Sequence, residues 1–210
     1  MSLSLLLIVA ALGGYIIGSI SFAVLIARSR GVDIFRVGSG NPGATNVLRN
    51  LGKGPGYACF LLDAFKGIVA ALLGYGLGVV FGFPPASQDL LAIVALLGAI
   101  LGHSFSAFLR FRGGKGVATT VGGLFVIMPW VMAVGAAVWV VTFVLTRYVS
   151  LASILLGLSL PLAAMVLPRY GIAHILLSLA LAALILIRHR SNIERLRAGT
   201  EHRSGSKRAS

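Results

Sequence analysis

VATTVGGLFVIMPWVMAVGAAVWVVTFVLT, residues 117–146, decides how this chain crosses a bilayer. The run carries no charged residue. As one helix it would measure about 45 Å at ~1.5 Å per residue. That is too long for a single crossing of a hydrocarbon core about 30 Å thick. Pro129 lies near its centre, with Gly122 and Gly123 upstream. The run therefore reads as two short tilted helices meeting near Met128–Trp130.

The count matters because it sets the side on which every later residue lies. Working outward, apolar runs cover Leu3–Ala27, Gly56–Phe81, Leu90–Leu109, Val149–Leu167 and Ile172–Ile187. The first lacks a basic n-region, and its 25 uncharged residues exceed the ~7–15 of a signal peptide's apolar core. It reads as a retained span. If residues 117–146 cross twice and the N-terminus is outside, 16 of the 18 Lys and Arg fall on the inner side. Arg169 alone is then outside, with Lys66 inside the membrane. If they cross once, the split is 9 to 8. The positive-inside rule selects the first count. The expected fold is an all-α integral membrane protein with seven transmembrane helices, N-terminus outside and C-terminus cytoplasmic. Residues 1–203 read as one polytopic domain and 204–210 as a disordered tail.

The chain is 58% hydrophobic and only 11% charged, with a net charge of +13. In so apolar a chain the basic loops record topology and an anionic leaflet, so no nucleic acid is expected as partner. The single cysteine, Cys59, sits in an apolar run and excludes a disulfide framework. No His, Asp or Glu cluster has metal-ligand spacing, and five acidic residues leave little scope for carboxylate acid–base pairs.

On this topology three polar segments share the inner face. VGSGNPGATNVLR, 37–49, alternates residues that free the backbone with hydrogen-bonding residues. Gly38, Gly40 and Gly43 allow close approach by a ligand, while Ser39, Asn41, Thr45 and Asn46 supply donors. Arg49 offers a fork suited to phosphate. Successive backbone amides in such a turn make an anion nest, the more so at a helix start. An ordinary glycine-rich turn would account for the glycines, but not for the hydroxyls, amides and arginine with them. GHSFSAFLRFRGGKGVATT, 102–120, contains GGKG without matching a P-loop, because Gly116 follows Lys115. Gly113 and Gly114 nonetheless expose amides beside the Lys115 charge. A topogenic basic loop explains Arg110 and Arg112 but not that glycine frame.

RHRSNIERLRAGTEHR, 188–203, leaves the last span. His189 and Asn192, three apart, share a helical face. Arg188, Arg190 and Arg195 read as headgroup anchors. His189 and Glu194 would lie about 140° apart on a helix, which excludes them as an acid–base pair there. His174 reads as a packing residue. Asp63 and Lys66, inside the second run, fit equally a functional role and a pair that neutralises itself to pin helices. The three segments describe a site rich in anion donors and poor in bases. That suits a substrate carrying its own activation and its own negative charge. A small-anion transporter is the rival class, disfavoured because the donors lie mostly on one face.

GSGNPGATNVLR, GHSFSAFLRFRGGKGVAT and RHRSNIERLRAGTE resemble the three signature segments of the bacterial acyl-phosphate-dependent glycerol-3-phosphate acyltransferases. LDAFKG, 62–67, and RYVSLAS, 147–153, are similar to family segments as well. Ser106 and Ala107 depart from the family's usual Pro and aliphatic residue, and Arg112 from its usual Lys. The first departure is expected to loosen a helix end. The resemblance implies acyl transfer from acyl phosphate to the 1-hydroxyl of glycerol 3-phosphate, yielding lysophosphatidic acid and phosphate. This is the first acylation of phospholipid synthesis, at the bacterial cytoplasmic (inner) membrane. It implies no cofactor, no metal, no acyl carrier and no acyl-CoA, with membrane lipids as surroundings and the monomer as the working unit. By matching motif positions, Ser39, Thr45, Asn46, Arg49, Lys115, Ser150, His189 and Asn192 would bind the two phosphates and orient the hydroxyl. Two acceptors for the hydroxyl proton stay open, His189 and the acceptor's own phosphate, and the resemblance points to the phosphate.

Overall fold

The computed structural model describes residues 1–205, and all its regular elements are helical apart from one isolated bridge between Ser106 and Arg112. Two compact units divide the chain, Met1–Ile127 and a second beginning at Met128. The first contains α1 (Leu3–Ser19), α2 (Phe22–Arg28), α3 (Ala44–Leu51), α4 (Lys53–Val80), α5 (Pro85–Ser104) and α6 (Val117–Ile127). The second contains α7 (Pro129–Thr146), α8 (Val149–Val166), α9 (Ile172–Arg188) and α10 (Arg190–Arg197).

In the first unit α1 packs on α5 through small residues. Leu6, Ala10, Gly14 and Gly18 recur every fourth position and are buried. Gly14 and Gly18 press on the backbones of Ala95 and Ala99, where any Cβ would strike a carbonyl. Such close backbone approach is how helices associate where lipid removes the hydrophobic incentive. On the other side of α1, Leu5, Ile8, Leu12 and Ile16 are exposed. A helix apolar all round belongs in a core or a membrane.

The run Leu3–Ala27, expected as one helix, bends at Ser19–Ser21. The Ser21 hydroxyl caps α2 by accepting the Val24 N–H at 3.4 Å. The break frees the carbonyls of Ser19 and Ile20, and side chains from elsewhere take them. Ser106 Oγ donates to the Ser19 carbonyl and Lys66 Nζ to that of Ile20, at 2.7 and 2.8 Å. Irregular backbone at membrane depth survives only with such partners. The expectation that Ser106 loosens a helix end is thus corrected: its hydroxyl makes a tie that a proline could not.

The break expected in residues 117–146 is present. Met128 has φ −138° and ψ 62°, and Pro129 opens α7. Proline lacks the N–H a continuous helix needs and drives the residue before it out of the helical region. The unit boundary falls at this point. Within the second unit α7 packs on α8, α8 on α9, and α10 touches both α8 and α9. α9 and α10 meet at a 60° bend.

Among the described residues five helical segments are long and apolar enough to cross a bilayer, or six if α9 and α10 form one span. The expected seventh falls on α6, whose 11 residues reach only about 16 Å. Of the expected disordered tail, residues 206–210 lie outside the described residues, while Ser204 donates its N–H to the Arg147 carbonyl at 2.8 Å.

Candidate functional site

The first polar segment stands on an apolar platform of Ala23, Val24, Ala27, Ile34, Val47 and Cys59. Gly38 and Gly40 take φ of 58° and 66°, the left-handed region that glycine enters without strain. Asn46 holds the turn closed. Its Nδ2 donates to the carbonyls of Ile34 and Val37, and its Oδ1 accepts from the Ser39 N–H and from Asn50 Nδ2. All four hydrogen-bonding positions of this buried amide are filled within the chain, so Asn46 braces the loop rather than facing a ligand.

The turn's own amides are also spent. Ser39 N–H goes to Asn46, Gly40 N–H to the Val37 carbonyl, Asn41 N–H to Ser39 Oγ and Gly43 N–H to the Asn41 carbonyl. Amides that the fold does not use come one step on, at the start of α3. There Asn46 and Val47 both donate to the Gly43 carbonyl, and the helix itself leaves the Ala44 and Thr45 amides unused. Gly43 has φ −152°, an extended conformation open to any residue. Ser39 is exposed, while Thr45 and Arg49 are half-buried along α3.

The second polar segment closes against the first. Arg112 lays its guanidinium 4.1 Å over the Phe35 ring, and Leu109 packs on the platform beneath the turn. Gly114 donates its N–H to the His103 carbonyl at 3.0 Å. A Cβ on Gly114 would meet both the His103 ring and the Pro42 carbonyl. The starts of α3 and α6 are therefore side by side, with the half-buried Lys115 just before α6. Two helix N-termini and the Lys115 cation thus lie close together, and each N-terminus carries roughly half a positive charge, while Arg49 stands in the last turn of α3. Gly116, read from the sequence only as a mismatch to the P-loop, has φ 80° and accepts the Thr120 N–H to open α6.

The third segment belongs to the second unit. His189 lies at the α9–α10 bend, buried, with Nδ1 2.8 Å from the Ile185 carbonyl. A carbonyl can only accept, so Nδ1 carries a proton in this contact. Asn192 and Ser150, both expected to meet substrate, donate to one oxygen of Glu201, each at 2.9 Å. Arg195, read as a headgroup anchor, instead binds the other oxygen at 2.8 Å. Burial pushes the Glu201 carboxyl up, but the three donors and the Arg195 charge outweigh it and hold the group below its ordinary range. Glu201 was not singled out from the sequence, although it closes the RHRSNIERLRAGTE segment. His174 stacks at a tilt on Tyr170, 5.4 Å between centroids, a packing role.

The structure thus brings together the first two segments in one unit, around Ser39, Thr45, Arg49, Gly113, Gly114 and Lys115. It gathers Ser150, His189 and Asn192 around Glu201 and the α9–α10 bend in the other.

Residues 8–199 match the glycerol-3-phosphate acyltransferase family. A glycerol-3-phosphate acyltransferase of Desulforudis audaxviator is 46% identical over 203 residues, covering 96% of this chain and 98% of the relative. The crystal structure of PlsY, an integral membrane glycerol 3-phosphate acyltransferase, in its glycerol 3-phosphate form superposes with a TM-score of 0.83 at 41% identity, covering 98% of this chain and 96% of that one. The lysophosphatidic acid form of PlsY gives 0.82 at 40% identity, with 95% of each chain covered. With motifs, helices and relatives in agreement over nearly its whole length, this all-helical integral membrane chain belongs to the glycerol-3-phosphate acyltransferase family.

Proposed function

We propose that this protein transfers a fatty acyl group from acyl phosphate to the 1-hydroxyl of sn-glycerol 3-phosphate, giving lysophosphatidic acid and inorganic phosphate. It does so as a seven-span monomer of the bacterial inner membrane, with N-terminus outside and C-terminus cytoplasmic. The observation that carries the reading is the approach of two helix starts, with Lys115 beside one of them, in the first unit. Relatives named for glycerol 3-phosphate as substrate support the acceptor.

Both substrates are anions, and acyl phosphate is already activated as a mixed anhydride. The main task is to bring them together and align hydroxyl with carbonyl, worth up to ~7–11 kcal/mol. Lys115, Arg49, the Ser39 hydroxyl and the amides at the starts of α3 and α6 offset the repulsion. Gly38, Gly40, Asn41 and Gly43 shape that turn, and Gly113 and Gly114 present Lys115. As the hydroxyl oxygen bonds to the acyl carbon, the carbon–oxygen bond to phosphate breaks and its electron pair leaves with the phosphate. The same donors stabilise that growing charge. The hydroxyl proton passes to the acceptor's own phosphate. His189, held through Nδ1 on the Ile185 carbonyl, orients the hydroxyl with Asn192, itself seated with Ser150 on Glu201.

Purified protein in detergent micelles, given acyl phosphate and glycerol 3-phosphate, is expected to release lysophosphatidic acid and phosphate. A transporter makes no product without a compartment, so absence of lysophosphatidic acid would sink the reading. A His189→Gln variant that keeps activity and an unaltered pH–rate profile excludes His189 as the base. Loss of one limb of that profile would instead assign it the proton.

A further inference from the structure

Asp63 and Lys66 of α4 are buried at membrane depth together with His103 from the last turn of α5. Lys66 Nζ lies 2.8 Å from Asp63 Oδ1 and donates to the Ile20 carbonyl at the α1–α2 break. Neutralising the aspartate and pinning the helices needs nothing more. Yet His103 Nδ1 sits 3.6 Å from the same carboxylate oxygen, and Cys59 Sγ lies 3.6 Å from the other.

What His103 does beyond that contact points toward the polar face. Its carbonyl accepts the Gly114 N–H at 3.0 Å, and its ring fills the space a Gly114 side chain would occupy. A direct line of contacts thus runs from the Asp63 carboxylate through the His103 ring and backbone to Gly114, one residue before Lys115. In a low-dielectric interior a carboxylate orients a neighbouring imidazole strongly. A ring that turned away would leave Gly114 without its packing wall, and misplacement by about 1 Å at a reacting site costs on the order of 10²-fold.

We propose that Asp63 and His103 are positioning residues for the reaction: the carboxylate seats the His103 ring, and His103 sets where Gly114 and Lys115 stand, hence how tightly a substrate phosphate is gripped. This rests on the reading that the Lys115 frame binds phosphate.

The test uses the full chain in micelles, with KM and kcat for glycerol 3-phosphate and its protection of the protein against thermal unfolding. Asp63→Asn and His103→Gln should raise KM for glycerol 3-phosphate by about 10- to 100-fold, the value of a lost charge-assisted contact, with a smaller fall in kcat. His103→Asn, which keeps an N–H near the Nδ1 position, should recover most of the loss. The double variant Asp63→Asn with His103→Gln should be no worse than the worse single, because both cut one linkage. Unchanged KM in His103→Gln alongside a lowered melting temperature overturns the proposal in favour of helix pinning alone. Should Asp63→Asn fail to fold, His103→Asn against His103→Gln decides, and equal KM values overturn it. Lys115→Ala is the control on the underlying reading. If glycerol 3-phosphate still protects that variant fully, the phosphate site itself is misassigned, a result distinct from failure of the positioning role.

Discussion

The two units build polar faces from different materials. In the first, the groups proposed to bind anions are largely backbone: two helix starts, shaped by glycines at positive φ and braced by the Asn46 amide. In the second, one carboxylate organises everything, with Ser150, Asn192 and Arg195 all donating to Glu201. Backbone amides do not titrate, so the first face is sensitive above all to shape. A carboxylate hub is sensitive to charge. The contrast teaches that one unit's polar face can depend on conformation and the other's on ionisation, and each dependence can be broken separately.

The largest effect should come from the two side-chain charges set into the backbone-built face. Lys115→Ala and Arg49→Ala should each lower turnover by about 10²–10³-fold, the range seen when a donor to developing charge is removed. Melting temperature in detergent, read on the same samples, separates lost chemistry from lost folding. Steady-state rates on purified variants decide, and near-normal turnover removes that residue from the reaction.

Next comes the hub. Glu201→Gln leaves three donors facing an amide that itself brings a donor, at a cost of about 2 kcal/mol given that Arg195 is partly exposed. For a chain of this size that is a fall of roughly 4–8 °C in apparent melting temperature. The sign of the pH dependence follows from the lowered pKa. The stabilisation is fully present above the ordinary value of 4.5 and is lost as pH falls through the depressed folded value. Acidification below pH 4.5 should therefore lower the wild-type melting temperature through a component absent from Glu201→Gln. Parallel melting curves in acid would show that Glu201 is not ionised as the structure implies.

What was legible in the sequence divides along similar lines. Pro129 announces the α6–α7 break because a missing N–H and a steric clash are properties of the residue itself. Arg49 and Lys115 stand out because charge amid glycines is rare in so apolar a chain. The α1–α2 bend left no mark: Ser19, Ile20 and Ser21 suit a helix or a break, and the groups that decide, Lys66 and Ser106, arrive from far along the chain. Asn46 looked like a donor to substrate because nothing in a sequence says which way an amide points. Glu201 was passed over because its partners are 51, nine and six residues away, beyond any helical spacing.

Within the backbone-built face, two glycines should respond oppositely. Gly38 combines φ 58° with a position where a Cβ would press on the Asn46 and Asn50 amides. Gly38→Ala should destabilise the turn by about 1–2 kcal/mol, the cost of a left-handed alanine, and lower activity with it. Equal stability and activity in that variant would show that the turn has an alternative conformation.

Gly43 is the smallest and sharpest case. Its backbone is extended, and an added Cβ would meet only the end of the Asn41 side chain. It also occupies the N-cap of α3, where serine and glycine differ by only a few tenths of a kcal/mol. On stability alone Gly43→Ser is nearly neutral. A serine hydroxyl there, however, would accept the Thr45 amide, one of the two donors that the start of α3 leaves for a ligand. The variant should therefore melt at or slightly above the wild-type temperature while KM for glycerol 3-phosphate rises a few-fold, about the value of one modest hydrogen bond. A change in binding without a change in folding is what a helix start used as an anion site requires. If KM stays put while the melting temperature rises, the hydroxyl has capped a helix end that never held phosphate, and the grip must be assigned to Arg49 and Lys115 alone.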